Sequence, residues 1–207
     1  MKTLAIIGQK GGTGKTTLAQ IIAVAAEQAG TAAAIIDLDP QASVVMWQKL
    51  RDQDAPAVID TKAVLLPEKL TAAKEAGFGL AVVDTAGRAQ HDALAAAKAA
   101  DLVLLPMQPT FADLRTLESA QEIIKLTGNP RHVAILTRVK AKGTRHTETA
   151  DWLKGQGVEV CPVAIGDRVT YQDAYAQGMT PTEFDPKSKA AEECRAFYTF
   201  VSKLLKE

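Results

Sequence analysis

The stretch Leu4-Ala5-Ile6-Ile7-Gly8-Gln9-Lys10-Gly11-Gly12-Thr13-Gly14-Lys15-Thr16-Thr17-Leu18 decides the fold. The apolar tetrad at its start predicts a strand buried on both faces, and the apolar run from Leu18 to Ala26 predicts a helix. Between them lies a glycine-rich turn that ends in Gly-Lys-Thr-Thr. Strand, glycine loop and helix, in that order, form the context that a phosphate-binding loop requires. Gly11, Gly12 and Gly14 let the backbone turn its N–H groups inward with no Cβ in the way, and the helix dipole adds positive potential. Lys15 is then the group that neutralises β- and γ-phosphate oxygens and Thr16 the Mg2+ ligand, with Thr13 and Thr17 completing the cradle. A plain turn before a helix explains the glycines but not the Lys-Thr-Thr after them.

Outward from this loop, short apolar runs alternate with helical patterns to the end of the chain. Strands are predicted near 3–7, 32–37, 80–84, 102–106, 132–137 and 159–163. Helices are predicted near 16–28, 68–76, 90–99, 112–127, 147–156, 168–177 and 188–205. That alternation means an α/β fold, a mostly parallel twisted sheet with helices on both faces, and ligands at the carboxyl ends of its strands. Gly30, Pro67, Gly77, Gly79 and Gly128-Asn129-Pro130 punctuate the element ends. Residues 38–66 read weakly, with a short helix over Val44 to Leu50, a strand over Ala57 to Ile59, and an open topology.

The chain has 207 residues, 47% of them apolar, which suits one domain over 1–207. Lys+Arg and Asp+Glu both number 24, so any nucleic-acid contact must come from a local patch rather than bulk charge. Basic residues gather at Arg138, Lys140, Lys142, Arg145 and His146, and again at Lys187, Lys189, Arg195, Lys203 and Lys206. Such clusters suit DNA phosphates without sequence selection, and solvated helix faces equally. Cys161 and Cys194 lack metal or redox spacing and read as buried small hydrophobes in a reducing compartment. The N-terminal apolar run is too short for a signal core of ~7–15 residues, and no run reaches the ~18 of a spanning helix. A cytoplasmic protein is expected.

Carboxylates stand where two strands end. In Ile36-Asp37-Leu38-Asp39-Pro40-Gln41 the strand period puts Asp37 and Asp39 on one side, where they can serve a Mg2+ shell and orient an attacking water. Four apolar residues, Leu80 to Val83, deliver Asp84 to the metal, and Thr85-Ala86-Gly87 follows as a switch whose glycine permits close approach. Further on, Tyr171 and Tyr175 fall on one helix face at i, i+4 and read as core packing.

One departure from the ordinary phosphate loop is decisive: Gln9 replaces the expected first glycine, and Lys10 stands beside it. The run Lys10-Gly11-Gly12-Thr13-Gly14-Lys15-Thr16-Thr17 resembles the deviant Walker A family that includes ParA and MinD. Asp37-Leu38-Asp39-Pro40-Gln41 resembles that family's first switch element. Pro106-Met107-Gln108-Pro109-Thr110-Phe111-Ala112-Asp113-Leu114 is similar to a segment of small ParA proteins that lack an N-terminal DNA-reading domain. The resemblance covers nearly the whole chain. It implies an ATPase using ATP and Mg2+, in which Lys10 reaches across a nucleotide-sandwich homodimer to the partner's phosphates, as an arginine finger does. It further implies catalytic roles for Lys10, Lys15 and Asp39, metal contacts from Thr16, Asp39 and Asp84, switch roles for Asp37 and Gly87, and adenine-side contacts from Thr137 and Arg138. Expected partners are non-specific DNA and a small DNA-binding or adaptor protein that stimulates weak basal hydrolysis, with the protein on the nucleoid and a plasmid, chromosome or other assembly as cargo.

Two relatives of different function share the fold. A MinD-like membrane-positioning ATPase needs a basic amphipathic C-terminal helix. Phe197, Phe200, Val201, Leu204 and Leu205 have the spacing, but Lys203 and Lys206 make a thin basic face. A small ligase resembling dethiobiotin synthetase has no use for Lys10 or for the Asp37 to Gln41 run.

Overall fold

The computed structural model describes residues 1–87 and 89–207. The apolar runs become strands β1 (Lys2–Ile6), β2 (Ala33–Asp37), β3 (Ala57–Asp60), β4 (Leu80–Asp84), β5 (Leu102–Met107), β6 (His132–Leu136) and β7 (Glu159–Val160). They form one sheet in the order β3-β2-β4-β1-β5-β6-β7, every pair parallel. Alternate residues along each strand feed two separate cores. Leu4, Ile6, Ile35, Val82, Leu104 and Ile135 pack on one face, Ala5, Ile36, Val83, Val103 and Ala134 on the other. Burial on both faces is why these strands are apolar throughout rather than alternating.

The first face is covered by α1 (Lys15–Gln28) and α10 (Lys189–Lys206), whose Phe197, Val201, Leu204 and Leu205 lie in the core. Against the second lie α3 (Leu66–Glu75), α4 (Gln90–Ala99), α6 (Leu117–Leu126) and α7 (Arg145–Gly155). β1 is central: the chain leaves it toward β2 and β3 on one side and β5 to β7 on the other. The loop after β1 therefore opens where the connections diverge, the usual crevice for a ligand.

The weakly read segment resolves into α2 (Ser43–Gln48), edge strand β3 and a 3-10 turn over Ala63–Leu65. The helix expected over 112–127 is two pieces, α5 (Phe111–Leu114) and α6, because the Thr116 hydroxyl donates to the Asp113 carbonyl and competes with helix continuation. β7 stops at Val160, short of the expected 163, since Pro162 has no N–H for the ladder. Helices α8 (Val169–Ala176) and α9 (Pro181–Phe184) follow, the second unforeseen in the sequence.

Candidate nucleotide site

The loop over residues 8–14 rests on β1 and turns with left-handed backbone at Gly12 (φ 78°) and Gly14 (φ 89°), the latter opening α1 without a side-chain cap. The N–H groups of the first turn of α1 thus have no capping side chain, the local condition for holding a phosphate. Lys15 is buried, 7% exposed, and its Nζ donates to the Lys10 carbonyl at 3.2 Å. Burial pulls its ammonium below the ordinary lysine range, while Asp84 and Asp39 act in the opposite sense. A lysine stripped of water inside a ring of backbone dipoles gains most when an anion arrives.

Strand register assembles the acidic side. Ile6, Asp84 and Asp37 stand abreast on β1, β4 and β2. The Thr16 hydroxyl donates to Asp84 Oδ2 at 2.6 Å, while Asp84 Oδ1 is buried with no partner among the described residues. Burial pushes the Asp84 carboxyl up to about 7, against the Thr16 bond and with a further push from Asp37. A buried, unsatisfied carboxylate beside a threonine hydroxyl suits a hard divalent cation, which would relieve both the desolvation and the orphaned oxygen. Asp39 is partly exposed and accepts the Gln41 N–H at 2.9 Å on Oδ1, and its charge acts on the Lys15 ammonium.

Asp37 departs from the expected sharing of the metal shell. It is fully buried, and its two oxygens accept the Asp39 and Val44 N–H groups at 3.0 and 3.1 Å. Its carboxylate shapes the turn that presents Asp39 and starts α2. Gly87 approaches the loop so closely that a Cβ there would stand 3.1 Å from the Gly11 nitrogen, which fits the close approach expected of the switch.

Lys10 leaves the cradle. Its Nζ donates to Asp113 Oδ1 at 2.5 Å, while Asp113 Oδ2 accepts the Gln108 N–H at 2.7 Å. Asp113 is fully buried, held in α5, whose first turn is capped by the Thr110 hydroxyl. Gln108 Nε2 in turn donates to the Gly12 carbonyl at 2.9 Å, so the strand exit after β5 braces the loop at two points.

On the far side of α1 a cavity of about 250 Å3 runs from Gly14, Thr17 and Leu18 to Thr137, Arg138, the turn over residues 165–168, Tyr171 and Tyr175. Thr137 is buried and donates its hydroxyl to the Thr13 carbonyl at 2.8 Å, tying β6 to the phosphate loop. Arg138 is exposed with left-handed backbone, φ 50°. Val139 and Gly166 form a bridge through Val139 N–H to Ile165 and Asp167 N–H to Val139, which zips the two linings together.

A profile of the CobQ/CobB/MinD/ParA nucleotide binding domain matches residues 4–182. The chain belongs to this family. It is 30% identical over 207 residues to Maintenance of carboxysome distribution protein A of Gloeobacter kilaueensis, covering 99% of this chain and 94% of that protein. It is 24% identical over 221 residues to Protein ParA of Rhizobium radiobacter, covering 100% of this chain and 99% of that one. The fold is shared with the septum site-determining protein MinD of Pyrococcus horikoshii, solved with Mg-ADP, at TM-score 0.76 and 18% identity over 98% of this chain and 96% of that one.

Within this MinD/ParA-type domain the sequence-predicted residues fall into groups. Gly11 to Thr17, Asp39, Asp84 and Gly87 converge on the loop, Thr137 and Arg138 line the cavity beside it, and Asp37 and Lys10 are engaged elsewhere. Tyr171 and Tyr175, read as core, pack on the core and also line the cavity. A second concavity, about 680 Å3, is lined by Arg138, Lys140, Lys142, Arg145 and His146 beside Gln108, Thr110 and the carboxylates Glu148 and Asp167. Thus the first basic cluster of the sequence becomes one surface. Two residues escaped the sequence reading: Glu193, which gathers the 165–168 turn, and Asp113 as the partner of Lys10. Asp113 lay inside a quoted motif, whereas Glu193 gave no signal.

Proposed function

We propose that this protein is an ATP- and Mg2+-dependent ATPase of the ParA type. It pairs on ATP, binds DNA without sequence preference as a dimer, and lets go when ATP is hydrolysed, so positioning a plasmid, chromosome or other cargo. The observation that carries this reading is the second loop lysine. Lys15 lies in the cradle, whereas Lys10 is 40% exposed and paired to Asp113 outside it, a position useful to phosphates of another subunit rather than its own. Phe111, 77% exposed at the start of α5, adds exposed apolar surface two residues from Asp113.

In this reading Lys15 and the loop N–H groups hold the β- and γ-phosphates, and Thr16, Asp84 and Asp39 hold Mg2+, which supplies charge neutralisation at the phosphoryl oxygens. Asp39 orients the attacking water. Lys10, supplied by the facing subunit, stabilises charge as it develops, so hydrolysis depends on pairing. Basal turnover is weak and rises with a small DNA-binding or adaptor partner. The names of the relatives, one for carboxysome distribution and one ParA, support a positioning role.

The basin of Arg138, Lys140, Lys142, Arg145 and His146 supports DNA phosphates as its ligand. One copy offers few cations, two copies double them, and each neutralised phosphate releases counterions, so affinity climbs steeply with contact number and falls with salt. A membrane-positioning role finds no support in the C-terminal helix. The apolar residues of α10 that an anchor would need are already in the core, and no helix among the described residues is long and apolar enough to cross a membrane. The test is retardation of unrelated DNA duplexes with ATP, ADP and no nucleotide across a salt series. Binding with ATP alone, weakening with salt, is expected. Binding that is absent with ATP, or indifferent to nucleotide, defeats the DNA role and leaves a protein scaffold as the better partner.

A further inference from the structure

We infer that Glu193, on the C-terminal helix α10, is a positioning residue for the base end of the nucleotide. It fixes the wall of the cavity beside the phosphate loop and so sets base selectivity without touching phosphate. The inference rests on reading that cavity as the nucleoside site.

Glu193 is one carboxylate with four protein donors, and all four come from the cavity wall. Its Oε2 accepts the Gly166 N–H at 3.1 Å and the Tyr171 hydroxyl at 3.1 Å. Arg168 adds a two-pronged pair, Nη2 to Oε1 at 2.6 Å and Nε shared between the two oxygens at 3.1 and 3.2 Å. The side chain is 13% exposed, and its roughly four lone-pair sites are spent on these donors, so it acts on a ligand through its neighbours.

Gly166 also abuts the Arg168 guanidinium. A Cβ on Gly166 would stand 2.9 Å from Arg168 Nε and 3.1 Å from Cζ, so the planar group lies against a bare glycine. Clamped and charge-compensated, Arg168 presents a fixed surface to a flat ring. Released, it becomes a mobile cation within reach of any anion in the cavity. With Glu193 in place the wall has one shape, and the cost of ordering it is met in the fold before the nucleotide arrives. Gly14 and Thr17, where the phosphate loop enters α1, line the same cavity, so a shift of Arg168 is expected at the base rather than at the phosphate cradle.

The test compares wild type, Glu193→Ala, Glu193→Gln and Gly166→Ala in affinity for Mg-ATP, Mg-GTP and inorganic tripolyphosphate, with melting temperature recorded in parallel. Tripolyphosphate reads the cradle alone. In Glu193→Ala we expect ATP affinity to fall roughly tenfold or more, the ATP-to-GTP ratio to shrink, and tripolyphosphate affinity to stay within about twofold. In phosphate release, KM for ATP rises while kcat at saturation holds. Glu193→Gln keeps acceptor geometry on one oxygen and falls between, and Gly166→Ala, which displaces Arg168 and leaves Glu193 in place, shows the same selectivity loss. Equal losses for ATP and tripolyphosphate, or an unchanged ATP-to-GTP ratio, overturn the inference in favour of a structural tie. Should Glu193→Ala not fold, Gly166→Ala carries the same decision. Wild type binding ATP no better than tripolyphosphate overturns the nucleoside-site reading itself, and the inference with it.

Discussion

Lys10 Nζ and Asp113 Oδ1 are hydrogen-bonded within one subunit, 103 positions apart in sequence. The lysine proposed to serve the facing subunit therefore has a competitor at home, and pairing must exchange one anion for another. Removing the competitor favours the exchange. Asp113→Asn keeps an acceptor for the Gln108 N–H but deletes the charge, and a charge-assisted bond contributes about 1.5–3 kcal/mol. The ATP-dependent dimer should then form at roughly tenfold lower protein concentration, measured by analytical ultracentrifugation with a non-hydrolysable ATP analogue. A dimer threshold equal to or higher than wild type contradicts the competition.

The loop residues separate by role. Lys15→Ala should lose nucleotide binding and Thr16→Ala metal-dependent binding. Asp39→Ala should bind and dimerise while hydrolysis falls ~10²–10⁴-fold, because its carboxylate serves water and metal rather than the cradle. Calorimetry against phosphate release distinguishes them. Equal loss of binding in all three refutes the assignment.

Asp84 links the site to stability. Its carboxyl is held at about 7 in the fold against an ordinary 3.8, so the folded state binds this proton more tightly than the unfolded chain does. The group's contribution to stability therefore declines as pH rises from about 4 to about 7, and the full penalty of a buried charge stands above that. For the metal-free protein, Asp84→Asn should raise the melting temperature most at about pH 8, with the gain shrinking as pH falls and vanishing only below about pH 4. The same variant should lose the extra stabilisation that Mg-nucleotide gives wild type. A variant less stable than wild type at the higher pH goes against this.

The phosphate loop and the parallel sheet were legible because both are local: a glycine loop needs its lysine and threonines within ten residues, and strands buried on both faces are apolar without a break. Asp84 was legible for the same reason, as the end of such a strand. The partnerships were not. Lys10 with Asp113 and Arg168 with Glu193 depend on which loops the sheet order brings together, and opposite charges 103 and 25 positions apart carry no register of their own. Asp37 shows the limit of periodicity, which set it beside Asp39 but could not tell that two backbone N–H groups would claim it.

The segment after the first switch is held by a buried ion pair. Arg51 and Glu183 side chains are 3% and 13% exposed and meet at 2.8 Å, with Arg51 also over the Trp47 ring at 4.5 Å and bonded to the Gly178 and Ala55 carbonyls. Burial raises the Glu183 carboxyl, but Arg51 and Thr180 prevail and leave it below the ordinary range. Its stabilisation is present at neutral pH and lost as pH falls through that depressed value. Arg51→Ala leaves Glu183 buried without its cation and should cost about 3–5 kcal/mol in urea unfolding. A loss under about 1 kcal/mol would show the pair to be dispensable.

ATP is proposed to join two copies of the protein through Lys10. Light scattering on wild type and Lys10→Ala, each with Mg2+ and either ADP or a non-hydrolysable ATP analogue, measures it directly. Wild type should double its 22.0 kDa mass with the ATP analogue alone, while Lys10→Ala binds the analogue and stays single. A wild-type mass that does not change with nucleotide, or a Lys10→Ala dimer as tight as wild type, contradicts it.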